Sequence, residues 1–190
     1  IEEPEHSILR KVFLNDFVID GGIGNTKVLV KRTSFYRSDL EKNRGIYFQR
    51  EINSKRLSGN GIQRILFYFE PMNADNWATD DFRYQALPGR FRSLSRSLVK
   101  DTALIRIADV NLSRGSYWFN SRNYSHYKDD MMSFIENIIS EYNVSRDNVV
   151  LYGFSRGGFG SLYYGKLLDL QVVSVDPVID ASFFVESRQD

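Results

Sequence analysis

The stretch Asn148-Val149-Val150-Leu151-Tyr152-Gly153-Phe154-Ser155-Arg156-Gly157-Gly158 decides how the rest of the chain is read. Its opening residues form a nearly continuous apolar run, the pattern of a strand buried on both faces. A helix from about Arg156 to Leu168 follows without an intervening loop. The backbone must therefore leave a buried strand and enter a helix almost at once. Ser155 is expected at the tip of that turn, in a strained conformation with its hydroxyl exposed. Side chains two residues before and two after it would collide with neighbouring backbone, so Gly153 and Gly157 suit those positions. Gly158 and Gly160 let the helix lie close to the sheet.

Working upstream, the same strand–helix rhythm recurs. Ile65 to Phe69 is a second apolar run, followed by a polar loop and a helical stretch from about Phe91 to Val99. Ala103 to Ala108 forms a strand ending at Asp109, and a long loop from Val110 to Asn123 carries Tyr117, Trp118 and Phe119. The clearest helix runs from Tyr127 to Tyr142. Its Met131, Phe134, Ile135, Ile138 and Ile139 recur at spacings of three and four, and Asn143 suits its C-terminal end. Gln171 to Val175 is a last strand before Asp176-Pro177. Alternation of this kind builds parallel βαβ units, because parallel neighbours need a crossover.

Residues 1–60 read differently. Phe17 to Ile19, Lys27 to Lys31 and Ile46 to Ile52 are short β-like runs, the first two punctuated by Gly21-Gly22 and Gly24-Asn25 as in a hairpin. The expected fold class is α/β, a three-layer α/β/α arrangement with a mostly parallel sheet. A β-rich N-terminal part (1–60) precedes the α/β core (61–190). Val18 to Lys27 also resembles the first phosphate-binding turn of actin-like sugar kinases, but no second phosphate turn accompanies it, and a plain hairpin is the expectation.

Composition narrows the chemistry. The 190 residues are 42% hydrophobic and 26% charged with a net charge of +1, which suits a globular protein and gives no electrostatic reason to expect nucleic acid. The cluster Arg90, Arg92 and Arg96 reads as a solvated helix face. With no cysteine, disulfides, thiol nucleophiles and thiolate metal sites are excluded. No cofactor and no metal is expected. No apolar run reaches the ~20 residues of a membrane span. A cytoplasmic location is expected, with a small molecule or glycan as partner.

Gly153-Phe154-Ser155-Arg156-Gly157 fits the G-x-S-x-G pattern of a nucleophilic serine at a strand–helix turn. Ser155 is the candidate nucleophile. The Arg156 N–H, at the positive end of the helix dipole, is a candidate oxyanion donor. A second donor is expected from the loop after Phe69, from Met72 or Asn73, since Pro71 has no N–H. Asp176 is the candidate acid, with Asp180 and then Asp109 behind it. The competing reading is a tight turn with an incidental serine. A serine hydroxyl also needs a base. The two histidines, His6 and His126, both precede Ser155, and 35 residues follow it. Two explanations compete: the chain is C-terminally incomplete with the histidine beyond Asp190, which its start at Ile1 and its end soon after the turn favour, or the fold survives without hydrolase chemistry. His126, near the start of a helix, is a third possibility. His6 is expected in a mobile segment.

The segment from about 62 to 176 resembles the α/β-hydrolase superfamily, through Gly153 to Gly158 and the strand–helix order around it. Tyr152-Gly153-Phe154-Ser155-Arg156-Gly157-Gly158-Phe159-Gly160-Ser161-Leu162-Tyr163-Tyr164-Gly165 looks like a bacterial group within it. That group includes capsular polysaccharide biosynthesis proteins and the O-acetyltransferase-like component of the accessory secretion system for glycosylated adhesins. The resemblance implies a serine acyl-transfer site acting on carbohydrate. The absent downstream histidine is the departure. Two functions are carried forward. One is a serine esterase or O-acyltransferase, with Tyr117 and Trp118 (and Trp77 and Phe119) stacking on sugar or acyl groups. The alternative is a non-catalytic carbohydrate-binding or assembly module that keeps the fold.

Overall fold

The computed structural model describes residues 5–23, 26–72, 87, 89, 91–112 and 115–179. In chain order the elements are α1 (Glu5–Leu14), β1 (Phe17–Ile23), β2 (Thr26–Lys31), β3 (Glu41–Asn43), β4 (Ile46–Ile52), β5 (Arg64–Phe69), α2 (Leu94–Ser97), β6 (Thr102–Ala108), α3 (Tyr127–Tyr142), β7 (Val149–Phe154), α4 (Arg156–Leu168) and β8 (Gln171–Val175). β1 and β2 form an antiparallel hairpin of their own, as expected for 1–60. The other six strands make one sheet in the order β3-β4-β6-β5-β7-β8.

That sheet is mixed. β5 pairs parallel with β6 and β7, and β7 with β8, whereas β3–β4 and β4–β6 are antiparallel. The parallel part is the part connected through helices, as crossover geometry requires. β3 and β4 are joined through Arg44 and Gly45, with Arg44 at φ 53°, so they pair as a hairpin. β4 lies in register with β6 from Tyr47 opposite Ala108 to Ile52 opposite Ala103. The sheet therefore crosses the division expected at residue 60.

Strand alternation sorts the side chains into two cores. Ile65, Phe67 and Phe69 of β5 share one face with Ile46 and Phe48, Ile105 and Ile107, and Val149 and Leu151. Onto that face pack α3, through Met131, Phe134, Ile135 and Ile138, and α4, through Tyr164 and Leu168. Phe134 sits 4.8 Å from Phe48 and 6.1 Å from Phe67, centroid to centroid, and Tyr164 stacks on Phe69 at 5.9 Å. Tyr47 and Ala108 face the other way, into a smaller cluster with Val18, Phe35, Leu87 and Val110. Among the described residues that second cover is built from the hairpin, its following loop and the segment around Phe91, rather than from long helices.

One ion pair is locked into the second face. Arg106 and Glu70 are both buried, with Arg106 Nη1 donating to Glu70 Oε1 at 3.0 Å. The same guanidinium donates to Glu51 and, at 2.8 Å, to the Phe91 carbonyl, and it lies over the Tyr68 ring. A buried charge is tolerable when its donors are used in this way.

Two elements differ from the sequence reading. The helix expected over 91–99 is only the four residues of α2, and Leu98 is already extended (φ −71°, ψ 156°). Ser93, Ser95 and Ser97 offer the backbone local alternatives that compete with a helix. Conversely, the segment carrying His6 is helical: Ile8, Leu9, Val12 and Phe13 recur at helical spacing in α1. α3 has the expected bounds, closed by Asn143 in the left-handed conformation. No described helix is long and apolar enough to cross a membrane.

Because Phe134 is fully buried where α3 meets β4 and β5, Phe134→Ala is expected to lower stability by about 3–5 kcal/mol. Urea unfolding followed by circular dichroism measures this.

Candidate active site

β7 ends at Phe154 and α4 begins at Arg156, so Ser155 alone makes the turn. Its backbone sits at φ 54°, ψ −122°. For a residue with a side chain such a conformation costs on the order of 1–3 kcal/mol and persists only where the surroundings hold it. Here three hydrogen bonds hold it. The Ser155 N–H donates to the Val175 carbonyl at 2.9 Å, and the Ser155 carbonyl accepts from Phe159 and Val178, each at 3.3 Å. The residue is half-buried.

The glycines are explained by contact. A Cβ on Gly153 would fall on the Gly157 carbonyl oxygen, and one on Gly157 would fall on the Phe69 carbonyl oxygen. The start of α4 thus touches the end of β5 backbone to backbone. That contact brings the loop after β5 to the turn. Arg156 Nη2 donates to the Pro71 carbonyl at 3.3 Å, which places half-buried Met72 one residue from an anchored point. The Arg156 amide occupies the first position of α4, at the positive end of the helix dipole. Ser155, Arg156 and the Met72 loop are therefore gathered at one place. Asn73 lies outside the described residues, as do Trp77, Arg90 and Asp180.

Asp176 follows β8 with φ 46° and an exposed side chain. Both its neighbouring segments touch the turn, through the Val175 carbonyl and the Val178 N–H on Ser155. The backbone on either side of Asp176 is thus held against the turn at Ser155.

Other expectations are corrected. Trp118 is fully buried and presents no ring face to a ligand. Its indole meets Phe69 edge to face at 5.0 Å and occupies the slot that Gly160 leaves open, where a Cβ would lie 2.7 Å from Trp118 Cε3. The loop carries Tyr117 and Trp118 in consecutive left-handed conformations, at φ 57° and 59°. That geometry turns the indole inward and leaves Tyr117 half-buried near Phe159, at 6.4 Å. Phe119, also half-buried, packs on Phe159 and Tyr163 at 5.2 and 4.6 Å.

Asp109, the weakest acid candidate, is likewise interior. Its Oδ2 accepts from the Ser116 N–H at 2.8 Å and the Trp118 N–H at 3.4 Å, its Oδ1 from the Tyr127 hydroxyl at 3.2 Å. Arg156 Nη1 stands 3.9 Å away. Burial pushes the Asp109 carboxyl above the usual carboxylate range, against the pull of Arg156 and these donors. Among the described residues, no contact links His126 to the turn. His126 is exposed at the start of α3, with Nε2 3.5 Å from Asp130 Oδ2 and its ring edge-on to Tyr124. His6 lies on α1.

Sequence reasoning used only the backbone of Arg156. Its side chain is also buried, lying over the Trp118 ring at 5.3 Å. An arginine directly after the serine of a glycine-bound turn, with no room to reach solvent, was the available signal.

A model of the family described as accessory Sec system GspB-transporter matches residues 48–185. The chain belongs to this family. An accessory Sec system protein of Staphylococcus aureus is 24% identical over 136 residues, covering 71% of this chain and 26% of that protein. The chain therefore spans about a quarter of the length of that relative. Among solved structures, a chain of the Glycosylation Associate Protein complex from Streptococcus agalactiae superposes with a TM-score of 0.51 at 17% identity, over 80% of this chain and 27% of that one. The capsule O-acetyltransferase of Neisseria meningitidis serogroup A gives 0.50 at 16%, over 80% and 55%. A mutant of that enzyme in complex with CoA gives 0.52 at 15%, over 80% and 55%. At these identities the likeness is one of fold, an α/β arrangement of a mixed sheet with packed helices.

Gly157→Ala is expected to destabilise the protein by about 2–4 kcal/mol, because a methyl group there must displace the end of β5. Thermal unfolding of the two forms side by side measures it.

Proposed function

We propose that this chain carries the serine site of an esterase or O-acyltransferase acting on an ester or glycan, within bacterial surface glycoprotein or polysaccharide biosynthesis. The observation that supports it most is the Ser155 backbone at φ 54°, ψ −122°, held between a buried strand and a helix start. Such strain on a non-glycine residue is uncommon, and here it serves to present one hydroxyl beside helix-terminal amides. Family membership and the fold shared with a capsule O-acetyltransferase point the same way.

In this reading the Ser155 oxygen attacks the ester carbonyl carbon while its proton passes to a general base. The carbonyl π electrons move onto oxygen, and the Arg156 and Met72 N–H groups stabilise that charge. Collapse expels the alcohol, which takes the proton, and leaves the acyl group on Ser155. Water or a sugar hydroxyl then removes it by the reverse sequence, giving hydrolysis or transfer. Asp176 would orient and charge-balance the base. His126 stands beside Asp130 at the start of α3, and the base in this reading is a group other than His126. Tyr117 and Phe119 replace Trp118 as the aromatic side chains offered to substrate. The site would work in the cytoplasm and needs no cofactor held by the protein.

A second reading keeps the fold without the chemistry. It rests on His126 standing beside Asp130, with no contact to Ser155 among the described residues, and on the similar chain found in a complex. The module would then bind glycan or hold an assembly together.

The protein at full length should be labelled on Ser155 by a fluorophosphonate probe, and Ser155→Ala should abolish labelling. Mass spectrometry of the labelled peptide reads this out. Absence of label on folded protein would favour the non-catalytic module.

A further inference from the structure

The Arg156 side chain joins the loop after β5 to the loop after β6 behind the turn. Its backbone opens α4 next to Ser155. Its Nη2 holds the Pro71 carbonyl at 3.3 Å, one residue before Met72. Its Nη1 faces Asp109 Oδ2 at 3.9 Å, and the guanidinium plane lies over Trp118. Both charged side chains are essentially inaccessible, 2% and 0% exposed. A buried charge needs its partners fixed, so the carboxylate is itself clamped by Ser116, Trp118 and Tyr127. The loop that supplies two of these donors closes over the pair at Gly115. A Cβ there would strike Asp109 Oδ2 and lie 2.5 Å from Arg156 Nη1, and φ is +90°.

We propose that Asp109 and the Arg156 guanidinium are positioning residues that set the spacing of the oxyanion hole. One donor is the Arg156 amide itself. The other lies on the loop tethered by the same residue's side chain. A single arginine therefore fixes the separation between the two amides, and Asp109 fixes the arginine from behind. This rests on the serine acyl-transfer reading and adds to it the device that holds its geometry. Rigidity matters here because oxyanion donors work only at hydrogen-bond distance from where charge develops, and a shift of about 1 Å costs roughly 100-fold in rate.

The test uses the full-length protein, an ester substrate and a fluorophosphonate probe. Three variants are compared: Asp109→Asn, which keeps the acceptor for Ser116 and Trp118 but removes the charge; Arg156→Met, which keeps length and apolar bulk; and Gly115→Ala, outside the reacting groups. Each is expected to lower kcat about 10- to 100-fold with KM within about two-fold, and to slow probe labelling in parallel. Arg156→Lys, which retains charge but cannot fork between two partners, should fall between wild type and Arg156→Met. Folded variants with wild-type kcat and labelling rate would overturn the inference. Loss of fold in all three would also overturn it, by assigning the pair to holding the domain together. Failure of the wild type to label is a different result: it removes the serine reading itself.

Discussion

The start of α4 and the end of β5 are in direct backbone contact, and everything at the turn follows from that closeness. Gly157 has no side chain because the Phe69 carbonyl occupies its space. Since the helix can come no nearer and the strand cannot retreat from the sheet, the connection is compressed into one residue. That residue adopts a conformation it would not choose alone, and neighbouring carbonyls and amides of β8 and α4 keep it there. The strain at Ser155 is a consequence of packing two segments at minimum separation.

The compression also explains why the neighbourhood is so heavily furnished with buried polar groups. A helix start pressed into the sheet edge carries its first side chain, Arg156, inward, and a buried guanidinium requires acceptors. The Pro71 carbonyl accepts from it, and the loop after β6 brings Asp109 near as a counter-charge; that loop is in turn folded over by Tyr117 and Trp118 in left-handed conformations. On the opposite face Arg106 and Glu70 repeat the solution, and Glu70 begins the loop that continues through Pro71 to Met72. The loop is therefore pinned from both faces of the sheet.

Much of this was legible in the sequence where periodicity was strong. α3 fell on its expected bounds because its apolar stripe is continuous and Asn143 ends it. Strands β5 to β8 were visible as short apolar runs, and Gly153 and Gly157 marked the turn. What failed were judgements that depend on which way a loop folds. Trp118 lies in a loop and was expected to stack on substrate, yet Gly160, 42 positions away, opens a slot for it. Asp109 could not be recognised as interior without knowing that Arg156 faces it. The antiparallel entry of β4 into the main sheet was hidden for a similar reason, since strand partners distant in sequence leave no local trace. Ser-rich α2 and the helical α1 went wrong in opposite directions, each because local bonding or apolar spacing was outweighed in the reading by the polarity around it.

The two margins of the six-stranded sheet are unlike. β3 is three residues long and reads Glu-Lys-Asn, a brief charged border that discourages another strand from adding to it. β8 is longer and carries no further strand among the described residues, and Val173 and Val175 are 51% and 43% exposed. A border of that kind is a template for β-addition. In concentrated solutions of the chain alone, self-association should therefore start at the β8 margin, and a lysine in place of Val173 would make handling easier without approaching the serine turn.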